Sequence, residues 1–297
     1  MTAAIALKGV RKEYVDFALQ DIDLELPVGQ VMGLVGVNGA GKSTIFRILT
    51  GLLQPDGGQI EVCGHRMPHE QVAAKREIGY ASDDMRLYKG KTLRWHMNLI
   101  RAAYEGWDEA YAVELLKRFD LRENQPVGGF SHGQRVKALL LLNLARHPKL
   151  LLLDEPTTGL DPLAHGEVLE AIAEVLRDED RSVLFSSHNT RDVEQLSDAI
   201  AFLHNGRLVA VQDKETFLES WRRILCHGVW NEEIAAIPEV ASVRRNGSVI
   251  ELKVREFSEA LLPQLRKLGL AVSEVNRMDL EDIFIATIRP EGASGVV

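Results

Sequence analysis

Hydrophobic and polar positions alternate through the N-terminal part of the chain. "AIALKGV" and part of "IDLELPVGQVMGLVG" therefore read as short strands with one face turned inward. The period changes at "KSTIFRILTGLL", where apolar residues recur at helical spacing. Asp56, Gly57 and Gly58 predict a turn, followed by a strand at "QIEVCG". From about Met85 to His147 the pattern is helical, most clearly in "TLRWHMNLIRAAY" and "DEAYAVELLKRFDL". "KLLLLDEP" is a continuous apolar run of strand length, as expected of a central parallel strand covered on both faces. A helix at "AHGEVLEAIAEVLRDE", a strand at "RSVLFSS", a helix at "TRDVEQLSD" and a strand at "AIAFLHNGRLVAV" follow. This alternation predicts an α/β domain over residues 1–225, with a mostly parallel core sheet, a β-rich N-terminal part and a helical subdomain at about 84–147.

The composition shifts near residue 225. "VASVRRNGSVIELKV" reads as a hairpin, "FSEALLPQLRKLG" as a helix, "LAVSEVNR" as a strand and "LEDIFIAT" as a last helix. Residues 226–297 are thus expected to form a small α+β domain, ferredoxin-like in its order, with a disordered tail at "PEGASGVV".

Of 297 residues, 45% are hydrophobic and 26% charged, ordinary values for a globular protein. Lys and Arg number 35 against 43 Asp and Glu, a net charge of -8, which argues against nucleic acid as the main partner. Cys63 and Cys226 stand far apart with no metal-ligand spacing, as two buried thiols in a reducing compartment would. The apolar run in "MTAAIALKGVRKEY" is too short for a signal peptide. A membrane-spanning helix needs about 20 mostly apolar residues. The longest apolar block, 138–153, is broken by Asn143, Arg146, His147 and Lys149, so the expectation is a soluble, cytoplasmic protein.

Candidate chemistry begins at "GVNGAGKST", residues 36–44, which fits G-x-x-x-x-G-K-[ST] directly after a predicted strand and at the start of a predicted helix. Gly36, Gly39 and Gly41 let the backbone curl so that successive N–H groups face an anion, the helix N-terminus adds its positive dipole end, and Asn38 and Thr44 of the same loop are counted as nucleotide-binding with them. Lys42 would reach the β- and γ-phosphates of a nucleotide, and Ser43 would offer its hydroxyl to Mg²⁺. Asp154 and Glu155 end the apolar strand, where ligands bind in open α/β sheets. Asp154 would hold Mg²⁺, and Glu155 would orient or deprotonate an attacking water. Ser131 and Gln134 have the capping-box spacing that marks a helix start.

Taken in order, these motifs make the chain, over residues 1 to about 220, resemble the ATP-binding subunits of the ABC transporter family, a group of P-loop NTPases. "FSHGQ" is similar to the family's signature loop, usually LSGGQ, which caps the γ-phosphate of a nucleotide held by another subunit. The resemblance implies that Ser131, Gly133 and Gln134 act in trans. It places Tyr14 at the aromatic that stacks on adenine, Asp161 of "TGLD" in the loop that communicates between subunits, and His188 of "FSSHN" at the histidine that contacts the γ-phosphate. Two positions depart from the family: Asp83 in "IGYASDD" replaces the usual Mg²⁺-sensing Gln, and His132 replaces a signature glycine. Asp is shorter than Gln and only accepts hydrogen bonds when ionised, so Asp83 would meet the metal through water.

The resemblance implies an ATP- and Mg²⁺-dependent hydrolase on the inner face of the cell membrane. It would work as a homodimer or heterodimer of ATP-binding subunits and power an integral membrane permease, with an exporter-like cast. The segment from Asp83 to Tyr88 would form part of the permease docking surface. A soluble ABC ATPase acting on the ribosome or DNA is the alternative, disfavoured because the chain has one cassette and no long coiled-coil insertion.

Overall fold

Three strands without a solvent-exposed face form the centre of the first part of the chain. Val31–Val35, Leu150–Asp154 and Ser182–Ser187 are buried at every position. Such strands need cover on both faces, which crossover helices supply. They lie in a six-stranded sheet. Val31–Val35 pairs in parallel with Ser182–Ser187 and Ala199–His204, while Leu150–Asp154 lies between Ser182–Ser187 and Ile78–Ser82. Arg207–Asp213 forms the edge beside Ala199–His204. The structure is a computed structural model that describes residues 3–175, 178 and 180–288. The chain divides into two units, Met1–Val211 and Gln212–Val297.

In the first unit a second, antiparallel sheet runs in the order Ala18–Pro27, Ala3–Glu13, Gly57–Val62, His65–Met67. The helix Lys42–Leu49 shares one apolar cluster with both sheets: Ile45, Phe46 and Leu49 pack with Ile5, Leu24 and Val62 and with Leu34, Leu152 and Leu184. The single apolar stretch "IDLELPVGQVMGLVG" is split at Gly29, φ 83°, so its halves enter different sheets. "AIAFLHNGRLVAV" likewise turns at Asn205 and Gly206 into two strands.

The helical region is three separate helices, Leu93–Ala103, Glu109–Arg118 and His132–Leu144, with only a short 3-10 turn at Val127–Gly129 between the last two. Each start is set by a side-chain cap, from Thr92, Asp108 and Ser131. Helix Gln71–Glu77 and strand Ile78–Ser82 are too short to stand out from the pattern alone. Among the described residues no helix is long and apolar enough to cross a membrane.

The second unit holds an antiparallel sheet in the order Val240–Asn246, Val249–Val254, Arg222–His227, Ala271–Arg277. Helices follow the first and third of these strands in the chain, at Glu232–Ala235 and Leu261–Lys267, which is the ferredoxin-like order. Ile224, Cys226, Ile250 and Leu252 pack with Leu261 and Leu265 on one face. The composition shift near 225 falls inside strand Arg222–His227, which pairs on both sides. Helix Lys214–Ser220 also belongs to this unit, so its boundary lies earlier than composition alone suggests. The tail "PEGASGVV" and Leu176, Arg177 and Glu179 of "AHGEVLEAIAEVLRDE" lie outside the described residues.

A chain ending at Asp213 is expected to keep a cooperative thermal transition by circular dichroism. One ending at Leu225 carries a strand without either neighbour, and unpaired strand edges promote association. It should elute as aggregate on size exclusion; equal behaviour of the two would place the division elsewhere.

Candidate functional site

Residues 36–44 join the buried strand Val31–Val35 to the helix Lys42–Leu49. The Ala40 N–H donates to Val37 O at 3.1 Å and closes the turn. Gly41 holds φ 112°, which L side chains rarely adopt, and a Cβ there would meet Leu19 Cδ2 at 2.6 Å and Phe17 Cζ at 2.7 Å. The first N–H of this helix to bond back along it is that of Ile45, to Gly41 O at 3.1 Å. The N–H groups of Lys42, Ser43 and Thr44 therefore sit at the open helix N-terminus, where the macrodipole favours an anion.

Lys42 is buried, yet its Nζ donates to Gly36 O at 2.7 Å and lies 3.0 Å from Glu155 Oε1. A buried ammonium needs such partners because desolvation penalises an unpaired charge. Tyr14, Phe17, Asn38, Gly39, Ser43 and Arg47 line the same cleft, about 560 Å³ in volume, with Lys42 and Glu155 at its floor. The Tyr14 ring is half exposed and its centroid lies 6.2 Å from that of Phe17.

Parallel register assembles the acidic side of the site. Asp154 is level with Ser186, and Val35 with Ser187, so Gly36, Glu155 and His188 leave the sheet at the same edge. The Ser186 hydroxyl donates to Asp154 Oδ1 at 2.7 Å. The Glu155 backbone sits at φ 55°, a sparsely populated conformation for a non-glycine residue, and its N–H donates to Ser186 Oγ at 2.9 Å. Its Oε2 accepts from Thr158 Oγ1 at 2.8 Å and lies 2.7 Å from His188 Nδ1. Oε1 faces the Lys42 ammonium at 3.0 Å, a charge-assisted contact. Burial pushes the Glu155 carboxyl upward, but the Lys42 charge, with the hydrogen bonds from His188 and Thr158, outweighs it and holds the group below the usual range.

Helix His132–Leu144 opens with a full capping box. Ser131 Oγ accepts from the Gln134 N–H at 3.2 Å, and Gln134 Oε1 accepts from the Ser131 N–H at 2.9 Å. A Cβ at Gly133 would lie 3.3 Å from Ala164 Cβ, close enough that the neighbour must yield. Asp161 Oδ1 accepts from the Ala164 and Leu163 N–H groups, both at 3.0 Å, and these bonds, the Ala164 one foremost, hold its carboxyl below the usual range against the opposing effect of desolvation. Among the described residues, none of Ser131, Gly133, Gln134, Asp161, His188, Asp154 or Asp83 lines the phosphate-loop cleft itself.

Asp83 follows strand Ile78–Ser82, and its Oδ1 lies 3.6 Å from His132 Nδ1. His132 Nε2 in turn lies 2.8 Å from Thr158 O. The two departures from the family's motifs are therefore neighbours. Arg47 pairs with Asp84 at 3.0 Å, which ties the cleft wall to the residue after Asp83. Sequence reading missed Phe17, Arg47, Thr158 and Ser186. Thr158 and Ser186 stood inside recognised motifs without a role, while Phe17 and Arg47 depend on contacts between distant segments.

Comparison with known proteins now bears on this geometry. The family model described as ABC transporter matches residues 19–158. ABC transporter ATP-binding protein YtrB of Bacillus subtilis is 28% identical over 90% of this chain and 92% of its own length. Daunorubicin resistance ATP-binding protein DrrA3 of Streptomyces coeruleorubidus is 37% identical over 70% of this chain and 67% of its own. The chain belongs to the ABC transporter family of ATP-binding proteins. A solved ATP-binding subunit of an ABC transporter superposes with a TM-score of 0.64 at 31% identity, covering 71% of this chain and 90% of that one. This ABC cassette binds ATP and hydrolyses it. The phosphate loop fits that substrate: it presents a helix N-terminus and a buried lysine paired with Glu155.

In this cassette Gly41→Ala is expected to weaken ATP affinity by about fivefold or more, because a left-handed conformation costs about 1–3 kcal/mol for a residue with a Cβ. Isothermal titration with ATP measures it; an unchanged affinity would mean that the loop does not carry the phosphates.

Proposed function

We propose that this ABC ATPase drives export through a separate integral membrane permease, two ATP-binding subunits closing head to tail over ATP. One observation carries the two-subunit reading. The capped helix His132–Leu144 begins outside the cleft of its own chain, so its N-terminus is available to a phosphate held by another subunit. In this reading Tyr14 and Phe17 flank the adenine, while Lys42 and the N–H groups of the phosphate loop take the β- and γ-phosphates. Once Lys42 turns to phosphate, Glu155 loses its ion pair and is left on His188 and Thr158, placed to orient or deprotonate the attacking water. His188 steadies that carboxylate and contacts the γ-phosphate, and Asp161 carries the state of one site to the other subunit.

Ser43, Asp154 and Asp83 would hold Mg²⁺, which when bound neutralises phosphate charge. Their oxygens are hard donors, too few by themselves to complete an octahedral shell. That suits an ion that keeps several waters and takes further ligands from phosphates.

Beside Asp83 and Asp84, a groove of about 430 Å³ runs between Met85, Leu87 and Tyr88 and the helix residues Leu99, Ile100 and Tyr104. Its apolar lining suits a helical segment of the permease, which would hold the chain on the cytoplasmic face of the cell membrane. The resemblance to a protein named for daunorubicin resistance supports export, and the net charge of -8 supports a partner other than nucleic acid.

Glu155→Gln is expected to bind ATP, lose hydrolysis and accumulate as a closed dimer, because the amide cannot act as a base and does not repel the γ-phosphate. Gel filtration with ATP and Mg²⁺ reads the larger species; turnover near the parental rate would remove Glu155 from its role.

Asp83→Ala is expected to lower turnover and move the Mg²⁺ dependence to higher concentration, with Asp83→Gln retaining more activity and Asp84→Ala losing less. Steady-state ATPase assays across a Mg²⁺ series check this. If Asp83→Ala leaves both turnover and Mg²⁺ dependence unchanged, sensing does not belong to this residue.

A further inference from the structure

Asp192 lies in the first turn of the helix Thr190–Leu196 and is 2% exposed. Its Oδ2 accepts from Thr157 Oγ1 at 2.6 Å. Its Oδ1 accepts from Asn189 Nδ2 at 2.7 Å and lies 3.0 Å from His165 Nε2. A carboxylate only accepts, so His165 presents Nε2–H to it. Burying this acid would be costly unpaired, and these donors offset that cost.

The donors come from places that matter to the reaction. Thr157 stands two residues after Glu155, Asn189 directly follows His188, and His165 sits in the helix Pro162–Val175 that follows Asp161. We propose that Asp192 is a positioning residue for ATP hydrolysis. It clamps the turn that carries Glu155 to the turn that carries His188, and it ties both through His165 to the helix beside Asp161. The inference rests on the assignment of Glu155 and His188 made above.

The geometry calls for such a clamp. Glu155 holds a sparsely populated backbone conformation, which persists only where the surroundings over-determine it. Its N–H is fixed to Ser186 on one side, and the Thr157–Asp192 bond fixes the chain on the other. The contact of 2.7 Å between Glu155 Oε2 and His188 Nδ1 spans the two turns, so it depends on their separation. Without Asp192 the Thr157, Asn189 and His165 donors lose their shared acceptor, and the turns are free to drift apart.

The test uses the full chain, measuring ATPase kcat and KM, ATP affinity by titration calorimetry, and the unfolding temperature. Asp192→Ala is expected to lower kcat about 10- to 100-fold, the scale of a small misplacement of reacting groups. ATP affinity should stay within about threefold, since ground-state binding does not use the clamp. Asp192→Asn keeps an acceptor oxygen and should retain part of the activity. Thr157→Val, which removes one donor at constant shape, should lose activity in the same direction. Combined with His188→Ala, Asp192→Ala should add less than its single effect, because both act on the same carboxylate.

If Asp192→Ala does not fold, Asp192→Asn and Thr157→Val carry the test. Parental kcat in these variants, with Glu155→Gln inactive beside them, overturns the clamp alone. A proportional loss of kcat, affinity and unfolding temperature, additive with His188→Ala, also overturns it and leaves Asp192 a fold-stabilising acid. Parental turnover in Glu155→Gln would instead overturn the site assignment on which the clamp rests.

Discussion

The site depends on parallel strands held in register while buried on both faces. Val31–Val35, Leu150–Asp154 and Ser182–Ser187 can exchange no side with solvent, so a slip by one residue would turn every side chain over. That constraint brings Val35 level with Ser187 and Ser186 level with Asp154. The phosphate loop, the acidic pair and His188 then leave the sheet at one edge, although the loop stands more than a hundred residues before the other two in the chain.

Charge does the rest within that edge. Lys42 and Glu155 are mostly buried, so their attraction is screened less than a surface pair would be. The Thr158 hydroxyl and the His188 ring hold the other oxygen of Glu155, so the carboxylate is fixed from both sides. Polar groups beneath the site keep this arrangement from relaxing: Ser186 serves both Asp154 and the Glu155 N–H, and Asp192 gathers Thr157, Asn189 and His165. The turn at the start of helix His132–Leu144 joins the same network where His132 meets both Asp83 and Thr158 O.

Much of this was legible in the residues. The apolar run before Asp154, the glycines before Lys42 and the capping box at Ser131 and Gln134 are local signals, and each appears in the structure as the element it implies. The C-terminal order of strands and helices was legible for the same reason. The split at Gly29, the breaks between the helices from Leu93 to Leu144 and the early boundary of the second unit were not. A strand's sheet and a helix's end depend on partners elsewhere in the chain.

The sequence by itself determined the phosphate loop, the acidic pair and the family, because those depend on residue type at short spacing. Tertiary structure alone decided that Phe17 stands over Gly41, that Arg47 reaches Asp84, that His132 meets Asp83, and that Asp192 is shared by three segments. Those contacts join residues far apart in the chain. No local propensity encodes them, because they exist only once burial has brought the segments together.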